Sequence, residues 1–239
     1  MRSLYFFILI HAILLFPFQS FGFSDLVVPD SEIGSLARGT RFAGVNLSVS
    51  EKTSENPSSL FQQIESLDRI SYKISGAGGY FVRDLWMIGG KLEYEFSESD
   101  TGFTEDTDQK RVQAVSRLTS IGFIMRNYLP LGKTGRFSLF VESGLDFGYG
   151  KEVVQTTLDH DIDRKITKAY ALDLGVTPGL MVFINKGVAI EASVNIMGLS
   201  ASWGDYDFNS GERTGNTSSV DLDFSIKLLT LYIGLTYYF

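Results

Sequence analysis

The chain contains no cysteine. That excludes disulfides, thiolate metal centres and thiol nucleophiles, and it excludes attachment to a membrane through a lipid-modified cysteine. Proline is scarce, with five in 239 residues, and histidine scarcer still, with two. Basic residues are in deficit: 21 Lys and Arg against 28 Asp and Glu give a formal charge of −7, which argues against general nucleic-acid binding. Beyond the N-terminus no hydrophobic run approaches the ~20 residues of a spanning helix, so a mature chain that crosses a membrane must do so with strands. What the sequence does hold is glycine, 24 residues, and aromatics, 13% of the chain. Both favour strands joined by tight turns. An all-β barrel of this length is commonly one domain.

The one long apolar run, residues 4–18, follows Arg2 and precedes Ser20 and Gly22, small residues two apart. This is the pattern of a secretory signal peptide over 1–22, cut at Phe23; an uncleaved membrane anchor is the alternative. Residues 23–39 carry Pro29, Gly34 and Gly39 and no clean alternation. They read as a periplasmic lead-in, leaving 40–239 as a barrel.

From residue 40 onward apolar and polar residues alternate at period two, the signature of strands with two different faces. Eight strands are expected, at 40–50, 69–81, 86–97, 111–128, 136–150, 166–184, 188–202 and 219–239. The third is the clearest: Trp86, Ile88, Leu92, Tyr94 and Phe96 share a face, and Gly89, Lys91, Glu93 and Glu95 share the other. The fourth is ambiguous, because Ile121, Phe123 and Met125 oppose Gly122, Ile124 and Arg126. In the last, the apolar parity switches near Leu228 and Leu229, which implies a bulge.

The connections alternate long and short. Residues 51–68, 98–110, 151–165 and 203–218 read as long polar loops, although Val153 and Ile162 can extend their strands into a hairpin. Residues 82–85, 129–135 and 185–187 read as turns. In the first long loop Leu60, Phe61, Ile64 and Leu67 sit at helical spacing after Asn56, as a short helix over the barrel mouth or a functional lid. The loop 98–110 gathers Glu98, Asp100, Glu105, Asp106 and Asp108, either a solvated loop or a site for a hard cation. Its spacing matches no ligand motif, so no metal and no cofactor is expected.

The last residues carry a resemblance. Gly234, Tyr237 and Phe239 resemble the terminal signal of bacterial outer-membrane β-barrel proteins: a glycine, then aromatics two residues apart, ending in Phe. The stretch 127–150, a Tyr-Pro-Gly turn leading into a strand of aromatics, an acid and glycines, is similar to small barrels of the OmpX and OmpA-transmembrane type. The resemblance implies an eight-stranded antiparallel up-and-down transmembrane β-barrel in the outer membrane of a Gram-negative-type bacterium. Its partners would be outer-membrane lipid and lipopolysaccharide, the barrel-assembly machinery during biogenesis, and an unidentified extracellular ligand, and the protein would be a monomer. Long extracellular loops and short periplasmic turns are the rule for that architecture.

On this reading the polar faces point inward. Lys91, Glu93, Glu95, Glu142, Asp173, Glu191 and Lys227 would share an interior too narrow for a wide channel, and confined charges must pair or stay hydrated. An interior ion-pair network is therefore expected, as a polar plug or as catalytic carboxylates. His160, between Asp159 and Asp161, is the histidine of the mature chain. It is either a turn residue or the imidazole of a lipid-modifying enzyme resembling the outer-membrane lipid A deacylases and palmitoyl transferases. The leading expectation is a non-enzymatic barrel acting in surface interaction, adhesion or envelope integrity. The rivals are a narrow pore or lateral route for small apolar molecules, resembling OmpW-like barrels, a lipid A-modifying enzyme, and a secreted soluble β-protein.

Overall fold

The computed structural model describes residues 35–55, 64–105, 108–132, 135–158, 161–209, 213–223 and 231–239. Residues 1–22, His160, Lys227 and the parity switch at 228–229 lie outside these, as does most of the lead-in. Among the described residues there are ten antiparallel strands: β1 Arg41–Glu55, β2 Ile64–Arg83, β3 Trp86–Glu105, β4 Asp108–Leu131, β5 Phe137–Leu158, β6 Asp161–Asn185, β7 Val188–Val194, β8 Met197–Phe208, β9 Arg213–Asp223 and β10 Leu231–Tyr238.

Eight of them form a ring. Consecutive strands β1 to β7 pair in order, β7 pairs with β10, and β10 returns to β1. The closing contact reaches the last residue: Arg41 N–H donates to the Phe239 carbonyl at 2.7 Å, and Phe239 N–H donates back at 2.9 Å. The ladder climbs as it goes round. The rung through Arg41 reaches Val176 on β6 by way of β2 to β5. The rung through Ser48 reaches Gly179 on β6 from the other side. Val176 stands three residues above Gly179 and Ser48 seven above Arg41, so one circuit climbs about ten residues along β1, a stagger that goes with strands tilted by ~35–45°.

Two expectations from the sequence are corrected. The strands are much longer than the alternation alone indicated. Residues 51–55 continue β1 and 64–68 open β2, so Ile64 and Leu67 belong to a strand, and Leu60 and Phe61 lie outside the described residues. Most of 98–110 belongs to β3 and β4, and most of 203–218 to β8 and β9. In 151–165 the hairpin alternative is the one adopted. Polar residues on both faces of these stretches make them look like loop, while backbone pairing with the neighbouring strand does not depend on polarity.

The second correction concerns strand count. The expected seventh strand is broken at Asn195 and Ile196 into β7 and β8. The long strand β6 serves both: its C-terminal half pairs with β7 and its N-terminal half with β8. In turn β8 carries β9. Among the described residues the ring is closed through β1 and β10 from Phe42–Tyr238 up to Ser48–Tyr232.

Alternation places the two faces as the period demands. Val45, Leu47 and Val49 on β1, Leu92 on β3, Ile121 and Phe123 on β4 and Ile233 and Leu235 on β10 all point outward and are exposed, Leu92 at 63%. Interior packing is confined to the end that holds the short turns, where Phe42, Phe81, Met87, Ile124, Phe140, Met181 and Phe183 form a buried cluster. The lead-in closes that end: Leu36 is buried, its carbonyl accepts from Leu85 N–H at 2.8 Å, and Arg38 N–H donates to Asp84 Oδ1 at 2.7 Å. Leu85 adopts φ 63°, unusual for a branched residue; burial of its side chain and its two backbone hydrogen bonds, to Leu36 and Tyr128, hold it there.

Candidate functional site

The candidate site is the polar interior, built in two layers by inward positions of facing strands. The lower layer lies on the apolar floor. Arg126 on β4, 4% exposed, donates from Nε to Glu142 Oε2 on β5 at 2.5 Å and from Nη1 to Glu191 Oε2 on β7 at 2.8 Å. Tyr238 on β10 donates its hydroxyl to Glu191 Oε1 at 2.9 Å and lies 3.2 Å from the Tyr128 hydroxyl. The guanidinium also stacks over Phe140, 4.7 Å from the ring centroid. One buried cation therefore faces two carboxylates, with a tyrosine pair completing the hydrogen bonds, as a dry charge cluster requires.

The upper layer is wetter. Lys73 Nζ lies 3.1 Å from Glu93 Oε1 and 3.0 Å from Glu95 Oε2. Lys91 Nζ lies 3.1 Å from Asp146 Oδ2 and 3.8 Å from Glu93 Oε2. Ser200 donates to Asp173 Oδ1 at 2.5 Å. Side chains of this lysine–carboxylate layer keep 13–32% exposure, against 2–12% for Arg126, Glu142 and Glu191. The gradient runs from a dry floor to a solvated upper interior. A cavity of about 460 Å³ occupies that upper space. Five carboxylates and three cations line it, so it favours water, small polar solutes and cations over anions.

Of the residues expected inside, Lys91, Glu93, Glu95, Glu142, Asp173 and Glu191 take these positions, and Lys227 lies outside the described residues. Lys73, Arg126, Asp146, Tyr128 and Tyr238 complete the arrangement and were not singled out from the sequence. Asp146 alternates with Glu142 on β5 and was within reach of the period-two reading. Arg126 was hidden by the apolar residues on both faces of β4.

The C-terminal residues divide between the faces. Tyr237 and Phe239 point outward and stack, 5.5 Å between ring centroids. Gly234 points inward between Asn46 and Glu191. A Cβ there would stand 2.0 Å from Asn46 Oδ1 and 3.4 Å from the Val45 carbonyl oxygen, so a larger residue would require the Asn46 side chain to turn away. Among the described residues no group of three or more His, Asp or Glu is arranged to hold a metal, and His160 lies outside them.

No protein-family model matches this chain, and no curated protein sequence matches it. Solved structures that are similar in part include three outer-membrane proteins. The outer membrane protein OprG from Pseudomonas aeruginosa is 14% identical, over 86% of this chain and 98% of that one, with a TM-score of 0.44. Neisserial surface protein A is 14% identical, over 84% and 97%, with a TM-score of 0.33. An outer-membrane channel from Pseudomonas putida F1 is 8% identical, over 90% and 100%, with a TM-score of 0.24. Likeness at this level fixes neither family nor activity, and the geometry of the chain itself carries the functional reading.

Proposed function

We propose that the protein is a non-enzymatic, non-conducting β-barrel of a bacterial outer membrane that acts through its protruding hairpins at the cell surface. The membrane placement is supported by the wall. A continuous apolar outer face of this extent is not sustained in water, and exposed aromatics border it at both ends: Tyr80, Tyr237 and Phe239 at the turn end, Tyr72, Tyr149, Tyr170 and Trp203 at the other. On β5 about a dozen residues separate Phe137 from Tyr149, ~40 Å along a strand and ~30 Å in height once tilted. That matches a hydrocarbon layer with its interfacial belts.

The observation that carries the closed-barrel reading is the floor. Arg126, its two carboxylates, the tyrosine pair and the aromatic cluster seal the turn end, so the upper cavity is a cup. Beyond the upper aromatics, the hairpins β3–β4 and β5–β6 continue as paired strand, giving rigid projections suited to recognising a partner. Gly234, Tyr237 and Phe239 serve, on this reading, as the signal for the assembly machinery, and the barrel is a monomer. The test is conductance in planar bilayers. The native protein gives no steady steps; large steady steps would sink the closed reading.

A further inference from the structure

One cluster on the outer wall plays no part in the closed interior. Arg117 on β4 faces Lys151 on β5 across the ladder, and Lys151 faces Lys168 on β6. All three are exposed and share the outward face with Ile121, Tyr149 and Tyr170 respectively. Like charges placed directly opposite each other destabilise a sheet. Inside the barrel the chain avoids this, since Lys73, Lys91 and Arg126 each contact at least one carboxylate. On the wall it does not. Asp205 faces Lys168 and Glu98 lies one outward position above Arg117 on the neighbouring strand, yet no carboxylate of a described residue comes within 4.0 Å of any of the three cations. Arg117 rests instead over the Phe96 ring, 5.9 Å from its centroid.

The height of this row is informative. Directly beneath Lys151 and Lys168 stand Tyr149 and Tyr170, 5.2 Å apart by ring centroids, with Trp203 on the next strand, β8, 6.3 Å from Tyr170; beneath Arg117 stands Thr119. Beneath those comes the apolar wall. Aromatic side chains of this kind settle at the junction of acyl chains and headgroups, so cations one step above them stand in the phosphate layer. Three adjacent strands make the row about 10 Å wide, a fit for a headgroup with one or two phosphates. We propose that Arg117, Lys151 and Lys168 form a binding site for the phosphate groups of an anionic membrane lipid, whose acyl chains lie along the apolar wall below. The lipid supplies the countercharge that the protein withholds. This inference rests on the membrane placement proposed above and is independent of whether the floor conducts.

The test uses the full mature chain refolded into phosphatidylcholine vesicles containing diphosphoryl lipid A, extracted gently and weighed by native mass spectrometry. Native protein retains the lipid. The variant Arg117→Gln, Lys151→Gln, Lys168→Gln still inserts, shown by heat-modifiable gel migration, and retains it at least about tenfold less, because each cation near an anionic surface contributes roughly fivefold. A control with the same charge loss at the opposite rim, Arg38→Gln, Arg83→Gln, Lys186→Gln, retains it as native protein does. Unchanged retention by the first variant, equal loss in both variants, or full displacement by millimolar inorganic phosphate would each overturn the site. Failure of the native chain to enter vesicles would overturn the membrane reading and this site together; insertion with unchanged retention would overturn the site alone.

Discussion

Arg126 reaches from β4 across the ring to Glu191 on β7, Nη1 to Oε2 at 2.8 Å, with side chains only 5% and 2% exposed. This bond ties two strands far apart in sequence and on opposite sides of the floor, and it makes the floor the part of the barrel most sensitive to substitution. Removing one partner of a buried ion pair costs about 3–5 kcal/mol, because the other charge is left uncompensated. Arg126→Met should therefore lower the urea unfolding free energy in detergent by that amount. Adding Glu142→Gln and Glu191→Gln should recover most of it. Equal stability of the single and triple variants would mean that the carboxylates do not depend on Arg126.

Tyr238 is the floor's link to the closing strand. Tyr238→Phe removes the donor to Glu191 and the contact with Tyr128 while keeping the ring contacts with Phe81 and Phe183. A hydrogen bond to a charged group is worth about 1.5–3 kcal/mol, and a loss in that range is expected in the same measurement. Tyr128→Phe, which spares the bond to Glu191, should cost less.

Close packing of backbones predicts a contrast between two glycines on β2. A Cβ on Gly79 would stand 2.2 Å from the Ile88 carbonyl oxygen, whereas one on Gly76 meets nothing within 4 Å. Gly79→Ala should displace β3 from β2 and cost about 1–3 kcal/mol. Gly76→Ala should stay within about 0.5 kcal/mol of native, the range of ordinary surface changes. Unfolding midpoints of the two variants, measured side by side, decide it.

Asp100 lies above the upper aromatics, where Arg111 donates to it from Nε at 2.9 Å and Gln113 at 3.0 Å. The Arg111 hydrogen bond, opposed by partial burial and helped by Gln113, holds the Asp100 carboxyl below its ordinary value of 3.8. A carboxyl depressed in the folded state stabilises the hairpin above its unfolded pKa, and that contribution disappears as pH falls through the folded value. NMR titration in micelles should place the midpoint of Asp100 below 3.8, and Arg111→Ala should raise it. A midpoint that Arg111→Ala leaves unmoved would show that the pair does not form in solution.

Tyr237 and Phe239 contribute exposed area to the outer wall, and their expected role lies in assembly. Phe239→Ala should reduce recovery of heat-modifiable protein from outer-membrane fractions several-fold while leaving refolding of the purified chain into detergent near native. Loss of refolding in vitro would instead assign Phe239 to the stability of the closing strand.

How much of this was written in the sequence depended on the length scale. Period two placed Lys91, Glu93 and Glu95 on one face of β3 and Leu92 on the other without any knowledge of neighbours, because strand geometry fixes the facing of every second side chain. It failed on β4, where Ile124 and Arg126 are inward but sit on the apolar floor, so both faces of the strand are greasy. It failed again beyond the upper aromatics, where polar residues occupy both faces and long hairpins look like loops. Facing, then, belonged to the sequence, because it is a property of one strand. Partnership belonged to the tertiary structure: the pairing of Arg126 with Glu191, of Lys91 with Asp146, and the row from Arg117 to Lys168 all depend on strand order and on the roughly ten-residue climb of the ladder around the ring, which only the closed sheet sets.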